Sequence, residues 1–169
     1  KVGGIQSYLW EIYRRLPQDK VVVYTTPHPD AKAFDESQTH KIIRSKQRVL
    51  LPTRSIANQI RSVVEAENID FIMYDPAVPI GIIGSKIGIP YGVILHGAEV
   101  TIPGRIPIAR TLISRVLRDA KLVVTDSITV TQANVLDEKT SGAVTATIST
   151  TAIGDLDDLS GTGNAYTIT

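Results

Sequence analysis

The sequence contains no cysteine, which excludes a disulfide framework and any metal site built on thiolates. It also lacks a run close to the roughly 18 to 20 apolar residues that span a bilayer. The first residues have no continuous apolar core of the kind that a signal peptide carries. With 169 residues, of which 43% are hydrophobic, the chain is long enough to bury one ordinary core. We therefore expect a cytoplasmic protein.

Proline is absent from the last quarter of the chain, where Tyr166 is the single aromatic residue. Residues 1–126 carry 17 basic and 12 acidic side chains, whereas residues 127–169 carry one basic and five acidic ones. The total net charge of the chain is only +1, which argues against a nucleic-acid partner. This total does not show the difference in charge between the two parts. The composition changes at Asp126 and Ser127, so we expect one domain over residues 1–126 and a different kind of segment over residues 127–169.

Residues 1–126 alternate between short apolar runs and stretches with apolar residues at helical spacing. This pattern predicts an α/β fold with a Rossmann-like parallel sheet and helices on both faces, because buried parallel strands are apolar throughout. Ser55 is the expected N-cap of the second helix. The predicted helices span residues 5–16, 55–64, 79–88 and 107–120, and the predicted strands span residues 21–24, 70–74, 91–95 and 122–125.

Threonine alternates with valine or isoleucine after Ser127, which predicts a short β-rich segment of antiparallel style with one exposed face. The segment has so few large apolar side chains that it would hardly form an independent core. We therefore expect it to dock on residues 1–126 or to belong to a longer array of repeats. Asp155, Asp157 and Asp158 are candidate calcium ligands, although aspartates in turns are more often solvated.

Two glycine-containing turns are candidate ligand sites. Gly3 and Gly4 precede the first predicted helix, where backbone N–H groups and the helix dipole favour a diphosphate; the alternative is a flexible terminal pair. His96, Gly97 and Glu99 follow a predicted parallel strand, at the edge where such sheets bind ligands. His96 can donate to a sugar hydroxyl or phosphate there, and the alternative is a surface turn without a ligand.

The helix predicted over residues 107–120 has a basic outer face. Arg110, Arg115 and Arg118 lie opposite its apolar stripe. This face suits peripheral contact with anionic lipid headgroups, and the more common alternative is a solvated surface.

Several motifs in a fixed order resemble the N-terminal domain of GT-B retaining glycosyltransferases of family 4, above all the actinobacterial phosphatidylinositol mannoside mannosyltransferase type. The resemblance covers residues 1–126. Its motifs are Val2-Gly3-Gly4-Ile5-Gln6-Ser7-Tyr8-Leu9, Pro79-Ile80-Gly81, Gly88-Ile89-Pro90-Tyr91, His96-Gly97-Ala98-Glu99 and Ala120-Lys121-Leu122-Val123-Val124-Thr125.

The resemblance implies a role for each matching residue. Gly3 and Gly4 would lie near the diphosphate of a nucleoside diphosphate sugar, and Gln6 would face a lipid or glycan acceptor. His96 would be the catalytic residue that approaches the transferred hexose, and Glu99 would support the donor loop. The family implies no metal and no cofactor besides the donor sugar nucleotide.

The same resemblance implies that the chain is a fragment, inactive alone, because the first strand and the second, nucleotide-binding domain of the family are missing from it. Residues 127–169 resemble Thr/Asp/Gly-rich repeats of bacterial cell-surface proteins instead. The competing hypothesis is therefore a non-catalytic interaction or adhesion module whose acidic tail binds a partner or calcium.

Overall fold

The computed structural model describes residues 4–96, 107–149 and 153–168. The chain divides into two compact units, Lys1–Leu51 and Pro52–Thr169. Within the described residues, no helix has both the length and the apolar character needed to cross a bilayer.

The first unit contains a two-stranded parallel sheet. Its elements are helix α1 (Gly4–Tyr13), strand β1 (Val22–Thr25), helix α2 (Ala31–Ser37) and strand β2 (Lys41–Arg44). The strands pair in parallel from Val22 with Lys41 to Thr25 with Arg44. The predicted first helix and first strand are confirmed within a few residues, whereas α2 and β2 had no counterpart in the sequence prediction.

The second unit contains a five-stranded sheet in which every strand is parallel to its neighbours, in the order β3-β4-β5-β6-β7. Helices flank this sheet, so the predicted α/β class with a Rossmann-like parallel sheet is confirmed. Its strands are β3 (Ile72–Tyr74), β4 (Tyr91–Leu95), β5 (Leu122–Ile128), β6 (Ala143–Ile148) and β7 (Ala165–Ile168). Its helices are α3 (Arg54–Glu67), α4 (Pro107–Asp119) and α5 (Val130–Asp137), with short 3-10 helices at Ile80–Lys86 and Ile153–Asp158.

The core of the second unit lies at the central strands. All five residues of β4 are buried, and Val93, Val123 and Val144 form one row across three strands with no exposed surface. This burial explains why β4 reads as a continuous apolar run, since a parallel strand covered on both faces has no polar side.

Helix α3 begins two residues earlier than the sequence indicated. Thr53 is its N-cap, and the threonine side chain accepts a hydrogen bond from the backbone N–H of Ile56, so the expected cap Ser55 lies inside the helix. The helix ends at Asn68, whose left-handed backbone (φ 53°) is the conformation that asparagine tolerates best after glycine.

The glycines of the 80–88 region confirm close packing at two of three positions. A Cβ on Gly81 would lie 3.1 Å from Val116, and a Cβ on Gly84 would lie 2.9 Å from the ring of Tyr91, so both distances are shorter than ordinary van der Waals contact. Gly88 has open space around it, and its positive φ of 103° is the reason a glycine suits that position.

The tail was predicted to be antiparallel in style, and this prediction is wrong, because β6 and β7 pair in parallel. Val130 and Thr131, which were expected in a strand, lie on α5. The Thr129 side chain accepts from the backbone of Gln132, whose own side chain accepts from the backbone of Thr129. This reciprocal cap favours helix over strand at this point.

Candidate functional site

The carboxyl ends of β3 and β4 bring an aspartate and a histidine together. Asp75 follows β3, and His96 follows β4. The two strands are adjacent and parallel, so the residues after them meet at one edge of the sheet. Nε2 of His96 lies 2.5 Å from Oδ1 of Asp75, and the two side chains are only 8% and 12% exposed. This pair is the centre of the candidate site.

The carboxylate of Asp75 controls how the His96 ring is held. It accepts a hydrogen bond from Nε2–H, which fixes the plane of the ring and, in the neutral form, places the lone pair on Nδ1. In the charged form both ring nitrogens are donors. A ring oriented in this way can hydrogen-bond to a hydroxyl or phosphate oxygen of a ligand at the sheet edge.

The loop that carries Asp75 is tied to the neighbouring strand. The backbone N–H of Ala77 donates to the carbonyl of Ile94 at 3.2 Å, and Ala77 has no exposed surface. The segment between β3 and the following 3-10 helix therefore contacts β4 directly, so the residues around Asp75 and those around His96 support one another.

Two buried hydroxyls of this sheet, one on the last residue of β3 and one in the middle of β5, have no hydrogen-bond partner within the part of the chain that the structure describes. They belong to Tyr74 and Thr125, which are each 4% exposed. Burial raises the pKa of Tyr74 far above its ordinary value, so its phenol stays neutral at physiological pH. Beyond Thr125 the register between β5 and β6 is irregular, which changes the direction of the strand near the carboxyl edge.

The predicted site residues fall in different units or outside the described residues. Gly3 and Glu99 lie outside the described residues. Gly4 is the first residue of α1, Gln6 lies within that helix, and both belong to the first unit, whereas His96 belongs to the second. The structure thus pairs His96 with Asp75, and the convergence of His96 with the glycine turn stays a prediction.

Asp75 was missed in the sequence, although the signal that identified His96 was present for it as well. Both residues follow directly after a predicted apolar strand of a parallel sheet. Asp75 precedes Pro76 and was not among the predicted site residues. Comparing polar residues at the ends of consecutive strands would have selected Asp75 as a second candidate, although not its contact with His96.

No group of three or more histidine or acidic side chains that could hold a metal ion occurs among the described residues. Asp157 and Asp158 are exposed at the end of a 3-10 helix, and the side chain of Asp155 lies outside the description. Calcium binding by the tail therefore stays a prediction.

The basic face of α4 borders a surface groove that does not include His96. Ile113 and Val116 are buried, and Arg115 and Arg118 are exposed, so the predicted amphipathic helix is confirmed for these residues. The groove has a volume of about 590 Å³. Its lining is polar and comes from α4 and the segment before β6: Thr111, Ser114, Arg118, Glu138, Lys139, Thr140 and Ser141.

No protein-family profile matches the chain. Among curated proteins, it is 27% identical over 84 residues to a GDP-mannose-dependent monoacylated alpha-(1-6)-phosphatidylinositol monomannoside mannosyltransferase of Corynebacterium glutamicum; the match covers 48% of this chain and 22% of the relative. It is 26% identical over 124 residues to a GDP-mannose-dependent alpha-(1-6)-phosphatidylinositol monomannoside mannosyltransferase of Mycobacterium tuberculosis; that match covers 68% of this chain and 32% of the relative. The matched region is thus less than a third of either relative's length, and the chain is similar to one segment of these proteins.

Proposed function

We propose that the chain is part of a retaining glycosyltransferase. The enzyme transfers a hexose, for which mannose is the first candidate, from a nucleoside diphosphate sugar to a lipid or glycan acceptor. The observation that carries this proposal is the buried pair of His96 and Asp75 at the carboxyl edge of a parallel sheet. The two mannosyltransferase relatives, whose names specify GDP-mannose and phosphatidylinositol monomannoside, support the choice of donor and acceptor class.

In this proposal His96 is the catalytic residue that contacts the transferred sugar or the departing phosphate. Asp75 is a positioning residue, since it acts through the imidazole ring. Glu99 supports the donor loop. This division of roles fits retaining transfer. The diphosphate gains negative charge in the reaction, and oriented hydrogen-bond donors stabilise that charge.

Gly3 and Gly4 supply backbone donors to the diphosphate, because α1 begins at Gly4 and a helix N-terminus attracts an anion. Gln6 faces the acceptor. Backbone N–H groups and basic side chains provide the charge stabilisation, so the proposal requires neither a metal nor a further cofactor.

The complete enzyme is proposed to have the GT-B architecture of family 4, with this chain as part of its N-terminal domain. A second domain would then hold most of the nucleotide, so the chain alone should bind the donor weakly and turn over no substrate. We place the enzyme in the cytoplasm, at the inner face of the membrane where a lipid acceptor is accessible. The proposal that residues 127–169 differ in origin from residues 1–126 is separate from this activity.

Titration of the isotopically labelled 169-residue chain with GDP-mannose, followed by NMR, tests the proposal. We expect saturable shifts of the His96 ring resonances and of the backbone amides at the ends of β3 and β4, and loss of saturation of those amide shifts in His96→Ala. His28→Ala is the matched control, because that histidine is exposed and lies on a loop of the first unit. Equal binding by His96→Ala and wild type, or no saturable binding by wild type, would sink the proposal.

Asp75→Asn tests the positioning role. An amide cannot accept from Nε2–H as strongly as a carboxylate does, so the ratio of the two neutral His96 tautomers should shift toward Nδ1–H. The ring nitrogen shifts report this ratio directly. An unchanged tautomer ratio in Asp75→Asn would contradict the positioning role of Asp75.

Calcium-dependent folding of the chain without any affinity for nucleotide would support the adhesion module instead.

A further inference from the structure

A pocket in the first unit lies beside α2, at the carboxyl edge of β1 and β2. It has a volume of about 410 Å³, which is within the usual range of small-molecule sites. The loop after β1, helix α2 and the last residue of β2 line it, and its lining includes Thr26, His28, Asp30, Phe34 and Arg44. We refer to it as the α2 pocket. It belongs entirely to the first unit.

The positive charge at the α2 pocket is already neutralised. Among the described residues that line it, Arg44 is the only lysine or arginine. Its Nε and Nη2 atoms donate to the two carboxylate oxygens of Asp35, each at 2.7 Å. Its Nη1 atom donates to the carbonyl of Thr26, also at 2.7 Å. Each guanidinium nitrogen is therefore engaged, so a phosphate, sulfate or carboxylate ligand would meet no free cation here.

The turn that leads into α2 is closed by His28. The backbone N–H of Asp30 donates to Nδ1 of His28 at 3.2 Å, and the N–H of Ala31 donates to the His28 carbonyl, also at 3.2 Å. Because Nδ1 accepts a hydrogen bond, it carries a lone pair, so the ring is neutral in this arrangement. The imidazole therefore supplies no cation to the α2 pocket either.

The carboxylate of Asp30 is the free polar group of the α2 pocket. Asp30 occupies the N-cap position of α2, but its side chain makes no capping hydrogen bond. It also has no ion-pair partner among the described residues. An ionised carboxylate only accepts hydrogen bonds, so a ligand that meets it must donate them. The ligand therefore carries hydroxyl, ammonium or ring N–H groups.

The ring of Phe34 supplies the apolar surface of the α2 pocket. This side chain is 50% exposed, and it lines the same pocket as Asp30, four residues earlier in the chain. The backbone carbonyl of Phe34 accepts from the hydroxyl of Ser37 at 2.7 Å and from Nε2 of Gln38 at 3.2 Å, which fixes the last turn of α2. A ligand that uses both groups needs an apolar face and hydrogen-bond donors at its edge.

A hexopyranose ring has both features. Its C–H groups form an apolar face that packs on an aromatic ring, and its hydroxyls donate to a carboxylate. A nucleotide could stack its base on Phe34, but its phosphate would meet no free cation. An organic ammonium is normally enclosed by a cage of aromatic rings, and the described lining offers one phenyl ring. The α2 pocket therefore fits a neutral sugar best.

We propose that the α2 pocket is a saccharide subsite that binds one neutral hexopyranose, with the C–H face of the sugar on Phe34 and its hydroxyls donating to Asp30. This inference goes beyond the proposed function, because neither the sugar nucleotide nor His96 takes part in it. The residues that carry it all belong to the first unit.

NMR titration of the isotopically labelled 169-residue chain with the methyl glycosides of mannose, glucose and galactose tests the subsite. We expect at least one glycoside to give saturable amide shifts at residues 26–35 and 44. The dissociation constant should be on the order of 1 mM, as is usual for ligands of this size with few polar contacts. A hexose 1-phosphate should not bind more tightly, because the α2 pocket has no free cation.

Two substitutions separate the roles of the ring and the carboxylate. Phe34→Leu keeps an apolar side chain but removes the ring, and it should weaken binding roughly 2- to 10-fold. Asp30→Asn should weaken binding on the order of tenfold, because an amide is a poorer acceptor than a carboxylate. The matched controls are Phe71→Leu and Asp19→Asn, which change an exposed phenyl ring and an exposed carboxylate outside the α2 pocket. Both should bind the glycoside as wild type does.

Circular dichroism of every variant confirms that the fold is retained, and a pocket variant that does not fold is replaced by Phe34→Met or Asp30→Ser. Four results would overturn the inference: no saturable shift in the first unit with any of the three glycosides, equal loss in the pocket variants and their controls, tighter binding of a hexose 1-phosphate, or binding of choline or guanosine monophosphate in place of the glycosides.

The outcome is distinguishable from that of the proposed function. The α2 pocket is tested by amides of the first unit, whereas the candidate transferase site is tested by amides at the ends of β3 and β4 in the second unit. Glycoside binding at the α2 pocket, together with failure of GDP-mannose to shift the β3 and β4 amides, would leave the subsite standing while removing the proposed transfer activity.

Discussion

Gly84→Ala tests the packing between the 3-10 helix Ile80–Lys86 and the sheet. A Cβ at this position would lie 2.9 to 3.0 Å from three ring carbons of Tyr91, whereas carbon atoms in contact prefer about 3.5 to 4.0 Å. The ring cannot move away freely. Its hydroxyl donates to the carbonyl of Val116 at 2.7 Å, and its edge packs on Tyr74 with ring centroids 5.6 Å apart.

The expected cost follows from two opposing effects. Overpacking a buried site of this kind costs about 1 to 3 kcal/mol. Replacing glycine by alanine recovers about 0.4 to 1 kcal/mol, because the unfolded chain has fewer conformations to lose. We therefore expect the free energy of unfolding to fall by about 1 to 2 kcal/mol, measured by urea unfolding with circular dichroism. The slope of the transition should not change.

Two comparisons isolate the contact with Tyr91. Gly154→Ala lies in the other 3-10 helix of the second unit and has no atom within 4 Å of the added carbon, so its free energy of unfolding should rise by about 0.4 to 1 kcal/mol, the unfolded-chain effect alone. Tyr91→Phe frees the ring from Val116, so Gly84→Ala should cost less in that background than in wild type. The reasoning is refuted if Gly84→Ala is as stable as wild type, or if its cost is the same in both backgrounds.

Two further predictions concern single elements. Thr129→Ala removes the cap of α5 and should lower the free energy of unfolding by about 1 kcal/mol, whereas Thr131→Ala, exposed on the same helix, should change it little in the same urea experiment. Hydrogen bonds from the Arg44 guanidinium hold the pKa of Asp35 below its ordinary value. Their contribution to the free energy of unfolding is therefore fully present above the pKa that Asp35 has in the unfolded chain, and it is lost as the pH falls through the lower pKa of the folded state. Stability should accordingly decline below about pH 4, and Asp35→Asn should flatten that decline; a carboxyl-carbon NMR titration in which Asp35 titrates at its ordinary pKa would contradict the prediction.

The sequence was sufficient for the elements whose pattern is purely local. Strand β4 is apolar throughout because it is buried on both faces, and α3 repeats apolar residues at helical spacing because one of its faces is buried. Helix α2 and strand β2 were missed for the opposite reason. Only Ala31 of α2 is buried, and β2 contains just two apolar residues, Ile42 and Ile43, so neither element has a pattern that stands out from a loop.

The site was predictable only in part, because a pair of residues depends on which strands are neighbours. His96 could be selected from its place after an apolar strand followed by glycine. Its partner Asp75 is 21 residues earlier, and only the pairing of β3 with β4 shows that they touch. Sequence spacing carries no information about this contact, whereas the topology of the sheet determines it.

The composition change at Asp126 and Ser127 shows a second limit of predicting the fold from the sequence. It marks a real difference in residue types, yet both residues lie inside β5. Buried and half-exposed residues alternate along β6, and its buried positions continue the rows of the core, as Thr125 beside Ala146 shows. A sheet selects small and β-branched side chains by face, not by the overall composition of the segment. A change in composition can therefore fall inside a strand that pairs with its neighbours, and the division of the chain into residues 1–126 and 127–169 stays a prediction.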